Sequence, residues 1–386
     1  MIAALSSASA AAQESPTATP PLRLGFDLRA GLAPEDDGYF NTTDYQHTTL
    51  RLFRLSVSAE ARAGRRLALL GEVVSENMEA RVRALFLRVT PLEGRAFDLQ
   101  AGLIPPVFGA FPRRAYGDEG PLIGFPLGYQ YLTTMRTDGV PAGADDLLEV
   151  RGRGWFVPYP SGAFPPGPGV PLVSASRWDT GIQIRVGDRP LEAAVALTRG
   201  SLCEPRVDET NDGKQLAGRI AWRPRLDWTL GASGARGEYL RSSVTDNLPV
   251  DLRKSYRQSA LGLDAEYVRG HLVLRAEAIK SWWELPPIGT PAITDPLGVL
   301  AAYLEGRYKI APGWTVGARV DRLSFTTLQG SSTWDTWDAN VTRVEAGVAW
   351  SPRRHLSLRA VYQYNWRDTG LFSREGFIAG QIGIWF

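Results

Sequence analysis

The sequence predicts an all-β fold, a transmembrane antiparallel β-barrel of about sixteen strands, because three patterns occur together that such a barrel explains jointly. From Leu22 onward, segments of about ten residues alternate apolar with small or polar side chains, the two-residue period of a strand whose faces meet different surroundings. The connections between these segments are long and short in turn, as in a run of hairpins whose tight turns gather at one end. Although 44% of the 386 residues are apolar, they never run on for the roughly eighteen positions that a spanning helix needs.

In chain order the strands are expected over 22–32, 49–62, 66–75, 81–90, 96–104, 177–187, 190–199, 214–223, 226–236, 256–269, 271–282, 298–309, 313–324, 341–351, 355–366 and 376–386. Tight reversals are expected at 63–65, 90–95, 187–190, 223–225, 269–271, 310–313 and 351–355, which carry Gly, Pro or compact polar residues. The long connections are 33–48, 76–80, 105–176, 200–213, 237–255, 283–297, 325–340 and 367–375; only the second is brief. A soluble β-sandwich has no reason to sort its connections in this way.

The face assignments follow from parity. Trp178, Thr180, Ile182, Ile184 and Val186 are expected toward lipid, with Asp179, Gln183 and Arg185 facing a wet interior. The same split sets Leu272, Leu274, Ala276 and Ala278 against Arg275 and Glu277. It also sets Trp314, Val316, Ala318 and Val320 against Arg319 and Asp321, and Leu356, Leu358, Ala360, Tyr362 and Tyr364 against Arg359, Gln363 and Asn365. An arginine turned into hydrocarbon at the midplane costs roughly 2–4 kcal/mol, so this sorting is specified. The strand at 81–90 resists it, because Arg83 shares parity with Leu85, Leu87 and Val89. Twelve Trp and thirteen Tyr, recurring near strand ends, fit interfacial girdles.

The last strand, FIAGQIGIWF, places Phe386, Ile384, Ile382, Gly380 and Ile378 on one face and ends on an aromatic. In this it resembles bacterial outer-membrane barrels, whose C-terminal strand with a final Phe is the address read by the barrel-assembly machinery; Phe386 is the corresponding assembly signal. The resemblance implies residence in the bacterial outer membrane, turns in the periplasm and loops outside. Residues 1–21, MIAALSSASAAAQESPTATPP, look like the remnant of an export signal lacking its charged front, followed by a flexible spacer, ahead of a barrel over 22–386. The third long connection, 105–176, is rich in Pro, Phe and Tyr. In trimeric porins it is likewise the third external loop that folds into the lumen and narrows it. The chain thus resembles general porins in architecture, which implies a porin-like passive diffusion channel for small hydrophilic solutes.

If this connection folds inward, its polar residues are the candidates for a pore constriction: Arg113, Arg114, Tyr116, Asp118, Glu119, Arg136, Asp145, Asp146, Arg151 and Arg153. Candidates on the wall are Arg185, Arg275, Glu277, Glu305, Arg307, Arg319, Asp321, Arg343, Glu345 and Arg359. Both sets mix signs, which predicts weak ion selectivity, since a strongly selective pore uses a ring of one sign; the wall pairs also read as a ladder that stiffens the sheet without meeting solute. Trp282 and Trp283 read as interface anchors, while Trp334 and Trp337, farther into a loop, also suit sugar stacking. The expected partners are outer-membrane lipid, small hydrophilic solutes and the assembly machinery, with homotrimer and monomer both open. A formal net charge of +2 argues against nucleic acid, and the single Cys203 supplies neither a disulfide nor a metal framework. No cofactor is implied. Two alternatives stand beside the channel: a non-conducting barrel with an external binding role, and an outer-membrane barrel hydrolase, for which His47, His271 and His355 are the only histidines and none accompanies a hydrolase motif.

Overall fold

The computed structural model describes residues 21–43, 47–92, 94–117, 120–370 and 372–386, so the expected export-signal remnant lies outside the described residues but for Pro21. Sixteen strands close into one antiparallel barrel. They are β1 Leu22–Leu32, β2 Phe53–Ala63, β3 Leu67–Glu76, β4 Glu79–Val89, β5 Phe97–Ile104, β6 Asp179–Val186, β7 Leu191–Thr198, β8 Gln215–Arg225, β9 Trp228–Glu238, β10 Arg257–Arg269, β11 Leu272–Trp283, β12 Leu297–Ala311, β13 Trp314–Phe325, β14 Val341–Arg353, β15 Leu356–Arg367 and β16 Arg374–Trp385. Each strand pairs with its neighbours in sequence, and β16 returns to β1 with Asp27 opposite Trp385 and Leu32 opposite Gly380. Closure leaves no strand edge, so backbone groups at membrane depth are paired within the sheet.

The outer surface sorts as expected. Leu24, Val57, Leu69, Leu85, Ile182, Val195, Ile220, Leu263, Leu304, Val320 and Ile378 are exposed large apolar side chains on strands all round the barrel, a surface made for lipid. At the turn end a girdle of aromatics runs from strand to strand: Trp228 lies 4.8 Å from Tyr267 between ring centroids, Trp314 stacks on Trp350 at 5.5 Å, and His355 stacks on Phe386 at 5.5 Å. Long connections occupy the other end.

Two side chains depart from simple parity, Arg83 and Trp178, each for a local reason, and a third, Trp283, obeys it but is not at the interface. The register of β3 and β4 shifts between Glu72 and Val73, so that Ala84 faces Glu72 while Val82 faces Val73. Arg83 is the extra residue of this bulge. It turns inward to Glu72 at 3.4 Å while Leu85 stays on the lipid side. Trp178, expected toward lipid, is buried instead, its ring 6.3 Å from Phe86 and 5.4 Å from the Arg83 guanidinium, because it precedes the first residue of β6 and is free of that strand's alternation. Trp283, expected at the interface, is fully buried against Trp337, whose indole N–H donates to the Gly298 carbonyl at 2.8 Å; neither offers a face to a sugar.

The interior has two unlike halves. Toward the loop end, the connections 33–52, 105–178, 199–214, 239–256, 284–296 and 326–340 fold together into an apolar core. Phe40, Phe108, Phe125, Tyr131, Leu172, Cys203, Tyr239 and Trp337 pack there with inward wall residues such as Ile279, Val299, Leu323 and Val361. This core takes up much of the wet interior expected along the whole strands, because wall residues such as Ile279, Val299 and Leu323 are themselves apolar and meet the connections. Short elements organise the filling: helices over Leu127–Gln130 and Ala144–Glu149, a two-stranded piece pairing Gly139–Val140 with Ser161–Gly162, and a hairpin pairing Thr327–Gln329 with Trp334–Thr336.

Phe386 closes the barrel twice over: its backbone pairs with Phe26 at 2.9 and 3.2 Å, and its exposed ring extends the aromatic girdle. Removing Phe386, or replacing it by Asp, is expected to lower the fraction of chain that reaches the heat-resistant folded form on a semi-native gel. Full assembly of both variants would contradict its part in closure.

Candidate functional site

The segment between β5 and β6 enters the barrel at once. Pro105 and Pro106 end β5, and the backbone then meets inward wall residues. The Gly109 N–H donates to Ser233 Oγ at 3.1 Å, and the Ala110 N–H to Glu277 at 2.9 Å. Farther on, the N–H groups of Ile123 and Gly124 both donate to Glu345, at 3.0 and 2.9 Å, while Arg319 and Arg343 donate to the carbonyls of Gly124 and Phe125 at 2.8 and 2.9 Å. A Cβ at Gly124 would lie 2.6–2.7 Å from Gln363 Nε2 and Glu345 Oε2, so a larger residue there would push aside the carboxylate that its own N–H meets. Glu277 also accepts from Tyr129 at 2.6 Å and Tyr303 at 3.0 Å, and Arg343 donates to the Phe40 carbonyl at 2.6 Å.

The wall charges thus form an anchor. Across the sheet, Glu266, Arg275, Glu305, Arg319, Glu345 and Gln363 lie opposite one another from β10 to β15, alternating in sign up to the final glutamine. Ion pairs join them, Arg275 to Glu266 at 2.6 Å, Arg319 to Glu345 at 2.7 Å, and Glu305 at 3.4 Å from both arginines. Of the wall candidates, Glu277, Arg319, Asp321, Arg343 and Glu345 are almost wholly enclosed. Arg185, Arg275, Glu305, Arg319 and Arg359 border the open turn-half cavity, and Arg307 is half-buried on the same face.

The constriction candidates divide. Arg113, Arg114 and Tyr116 line the lumen. Burial, with Arg219 and Arg185 beside it, pulls the Arg113 guanidinium down to about 10, still charged at neutral pH. Tyr116 has φ 62°, in the left-handed region that a bulky residue seldom adopts, and its ring lies 4.1 Å from the Arg54 guanidinium and 5.2 Å from that of Arg83. The others sit in the loop-end filling and away from any narrowing. Arg136 is buried on Asp138 and the Val157 carbonyl, Asp145 holds Ser331, Asp146 accepts from the Ala142 N–H, Arg151 pairs with Asp335, and Arg153 is exposed. Asp118 and Glu119 lie outside the described residues.

Three cavities follow one another from the loop end to the turn end, the first two toward β1–β6 and the third spanning the barrel. At the loop end, about 300 Å³ is lined by Arg81, Arg83, Trp178, Glu204, Arg206 and Arg241 among others. A narrow cavity of about 100 Å³ follows, sharing Arg83 and Trp178 with the first and adding Arg54, Glu72, Arg88, Tyr116 and Arg185. The turn-half cavity of about 830 Å³ shares Arg113, Tyr116, Gly117 and Arg185 with the second. Parity alone did not bring out Arg54, Arg83, Arg88 and Trp178. The parity conflict at Arg83 left this strand's faces unassigned in the sequence, and the bulge is its cause.

No sequence-family model matches the chain, and no curated protein does. Among solved structures, OmpF of Salmonella typhi in complex with daunomycin shares a TM-score of 0.59 over 95% of this chain and 97% of its own, at 13% identity. The anion-selective porin of Comamonas acidovorans gives 0.55 over 94% and 98%, at 10% identity. The chain has a porin fold. OmpT, an outer membrane protein of Vibrio cholerae that also has a trimer form, gives 0.56 over 95% and 97% at 13% identity. At these identities the shared property is the porin fold, and the residues that divide this lumen are read from the chain itself.

Proposed function

We propose that this chain is a channel of the bacterial outer membrane that passes small hydrophilic solutes passively, with its loops outside and its turns in the periplasm. The observation that carries the reading is the succession of three cavities from the loop end to the turn end, beside a segment that fills the rest of the cross-section. The balanced wall pairs that suggested weak selectivity are mostly occupied in holding that segment. The narrow cavity is bordered by Arg54, Arg83, Arg88, Arg113 and Arg185 against Asp27 and Glu72, a lining that favours anions. A homotrimer is the assembly we propose with it, after the trimer form of the Vibrio protein. The small volume of the narrow cavity favours one second reading, a closed barrel with an external binding role; absence of single-channel current from folded protein would support it. A hydrolase is disfavoured, because His271 packs at the turn end against Tyr308, His355 against Trp385 and Phe386, and His47 lies by Asn77 and Glu79.

Replacing 112–154 by a short Gly/Ser linker is expected to leave a heat-resistant barrel, since the sixteen strands pair without it, and to raise single-channel conductance severalfold. Unchanged conductance from a folded variant would place the segment outside the ion path. Arg113→Glu is expected to move the reversal potential toward cations in a tenfold salt gradient, where an ideal single-ion pore gives about 59 mV. The charge is largely buried beside the lumen, where screening by salt with a Debye length of roughly 8 Å is incomplete. An unmoved reversal potential would remove Arg113 from the route.

A further inference from the structure

We propose that the loop-end cavity is a binding site for a small soluble oxyanion of phosphate size, captured from outside ahead of the narrow passage. The binding claim stands on the cavity itself; the onward passage of the anion rests on the channel reading above. Five guanidiniums, of Arg81, Arg83, Arg177, Arg206 and Arg241, border the cavity against two carboxylates, of Glu204 and Asp208. One of those carboxylates is already engaged on both oxygens: Glu204 accepts from Arg241 through Oε1 at 2.5 Å, and from Arg206 through Oε2 at 2.5 and 3.1 Å.

These same contacts fix three arginines by part of the guanidinium and leave another nitrogen over. Arg206 is held by Glu204 and the Tyr239 carbonyl, Arg241 by Glu204, and Arg83 by Glu72 at 3.4 Å. Among the described residues, Arg206 Nη1, Arg241 Nε, Arg83 Nε, Trp178 Nε1 and Thr210 Oγ1 are buried atoms without a hydrogen-bond partner, and all five residues line this one cavity. Arg206 and Trp178 are each only 7% exposed. A buried cationic donor without an acceptor is costly. Four of the five groups are N–H donors, so a cation would worsen the arrangement and an apolar solute would leave it unmet, while a multi-oxygen anion supplies acceptors on several sides. A volume of about 300 Å³ admits such an anion with several of its waters, at roughly 30 Å³ each. Because Arg83 and Trp178 also border the narrow cavity, the site stands at its entrance.

The test is equilibrium dialysis of the full barrel, folded in zwitterionic detergent free of lipopolysaccharide, against radiolabelled inorganic phosphate at low chloride. Saturable binding of one phosphate per chain is expected, competed by sulfate. Arg241→Gln combined with Trp178→Phe, shown to be heat-resistant and therefore folded, should weaken binding at least tenfold. Single substitution of Arg236 to Gln, an arginine paired with Glu284 away from the cavity lining, should leave binding unchanged. No saturable binding by the parent barrel, or equal binding by the double variant, would overturn the site. In a parallel arm, lipopolysaccharide with and without its lipid phosphates is added. Binding of the phosphorylated lipid alone, with none of free phosphate, would overturn the soluble source. Conductance is read separately: a barrel that binds phosphate but carries no current overturns the channel and keeps the site, and one that conducts without binding does the reverse.

Discussion

A carboxylate closed off from water has to be met by donors, and in this barrel that requirement ties the wall to the loop. Glu345 on β14 receives Arg319 from β13 and two backbone N–H groups from Ile123 and Gly124, more than 220 residues earlier in the chain. Glu277 on β11 likewise receives the Ala110 N–H and the hydroxyls of Tyr129 and Tyr303. Hydrogen bonds to charged groups contribute about 1.5–3 kcal/mol each, and removing one partner of a buried ion pair costs about 3–5 kcal/mol. A few such residues therefore suffice to hold a long segment inside a barrel whose strands would close without it. With the segment fixed on the β11–β15 side, the loop-end and narrow cavities lie toward β1–β6, and the turn-half cavity reaches across to both sides.

That division explains why the charged residues fall into two populations. On the anchored side the signs alternate across the sheet and cancel. Toward β1–β6 arginines predominate, several held by carboxylates, Arg54 by Asp27 and Glu72, Arg83 by Glu72 and Arg206 by Glu204, with Tyr116, Phe86 and Trp178 between them as flat walls. Holding Tyr116 at a positive φ between Arg54 and Arg83 brings the aromatic ring to the narrowest cavity, a strain that the surrounding cation–π contacts offset.

The barrel was legible in the sequence because a period of two is a direct consequence of lipid on one face. Most strand ends agree to within two residues, and β2 starts later than expected because Leu50 and Leu52 are buried inward before the sheet begins. The interior was legible only in part. Ile279, Val299, Leu323 and Val361 share the parity of the inward charges, yet nothing local shows that they meet loop residues instead of water. Arg136, Asp145, Asp146 and Arg151 carry the composition of a pore lining, but Asp145 and Arg151 bind this connection to 326–340, and Arg136 and Asp146 hold it to itself. Their partners, the Val157 carbonyl, Ser331 and Asp335 among them, are set by tertiary folding. Parity failed where an extra residue, at Arg83, or the absence of a strand, at Trp178, broke the alternation.

The most direct test of the account is amide hydrogen exchange on the folded barrel, comparing the parent with Glu277→Gln plus Glu345→Gln. If buried carboxylates hold the segment, amides over 108–130 should be protected in the parent and exchange markedly faster in the double variant, while the paired strands β12 and β13 keep their protection. Equal protection of 108–130 in both proteins, with both shown to be folded, would contradict it.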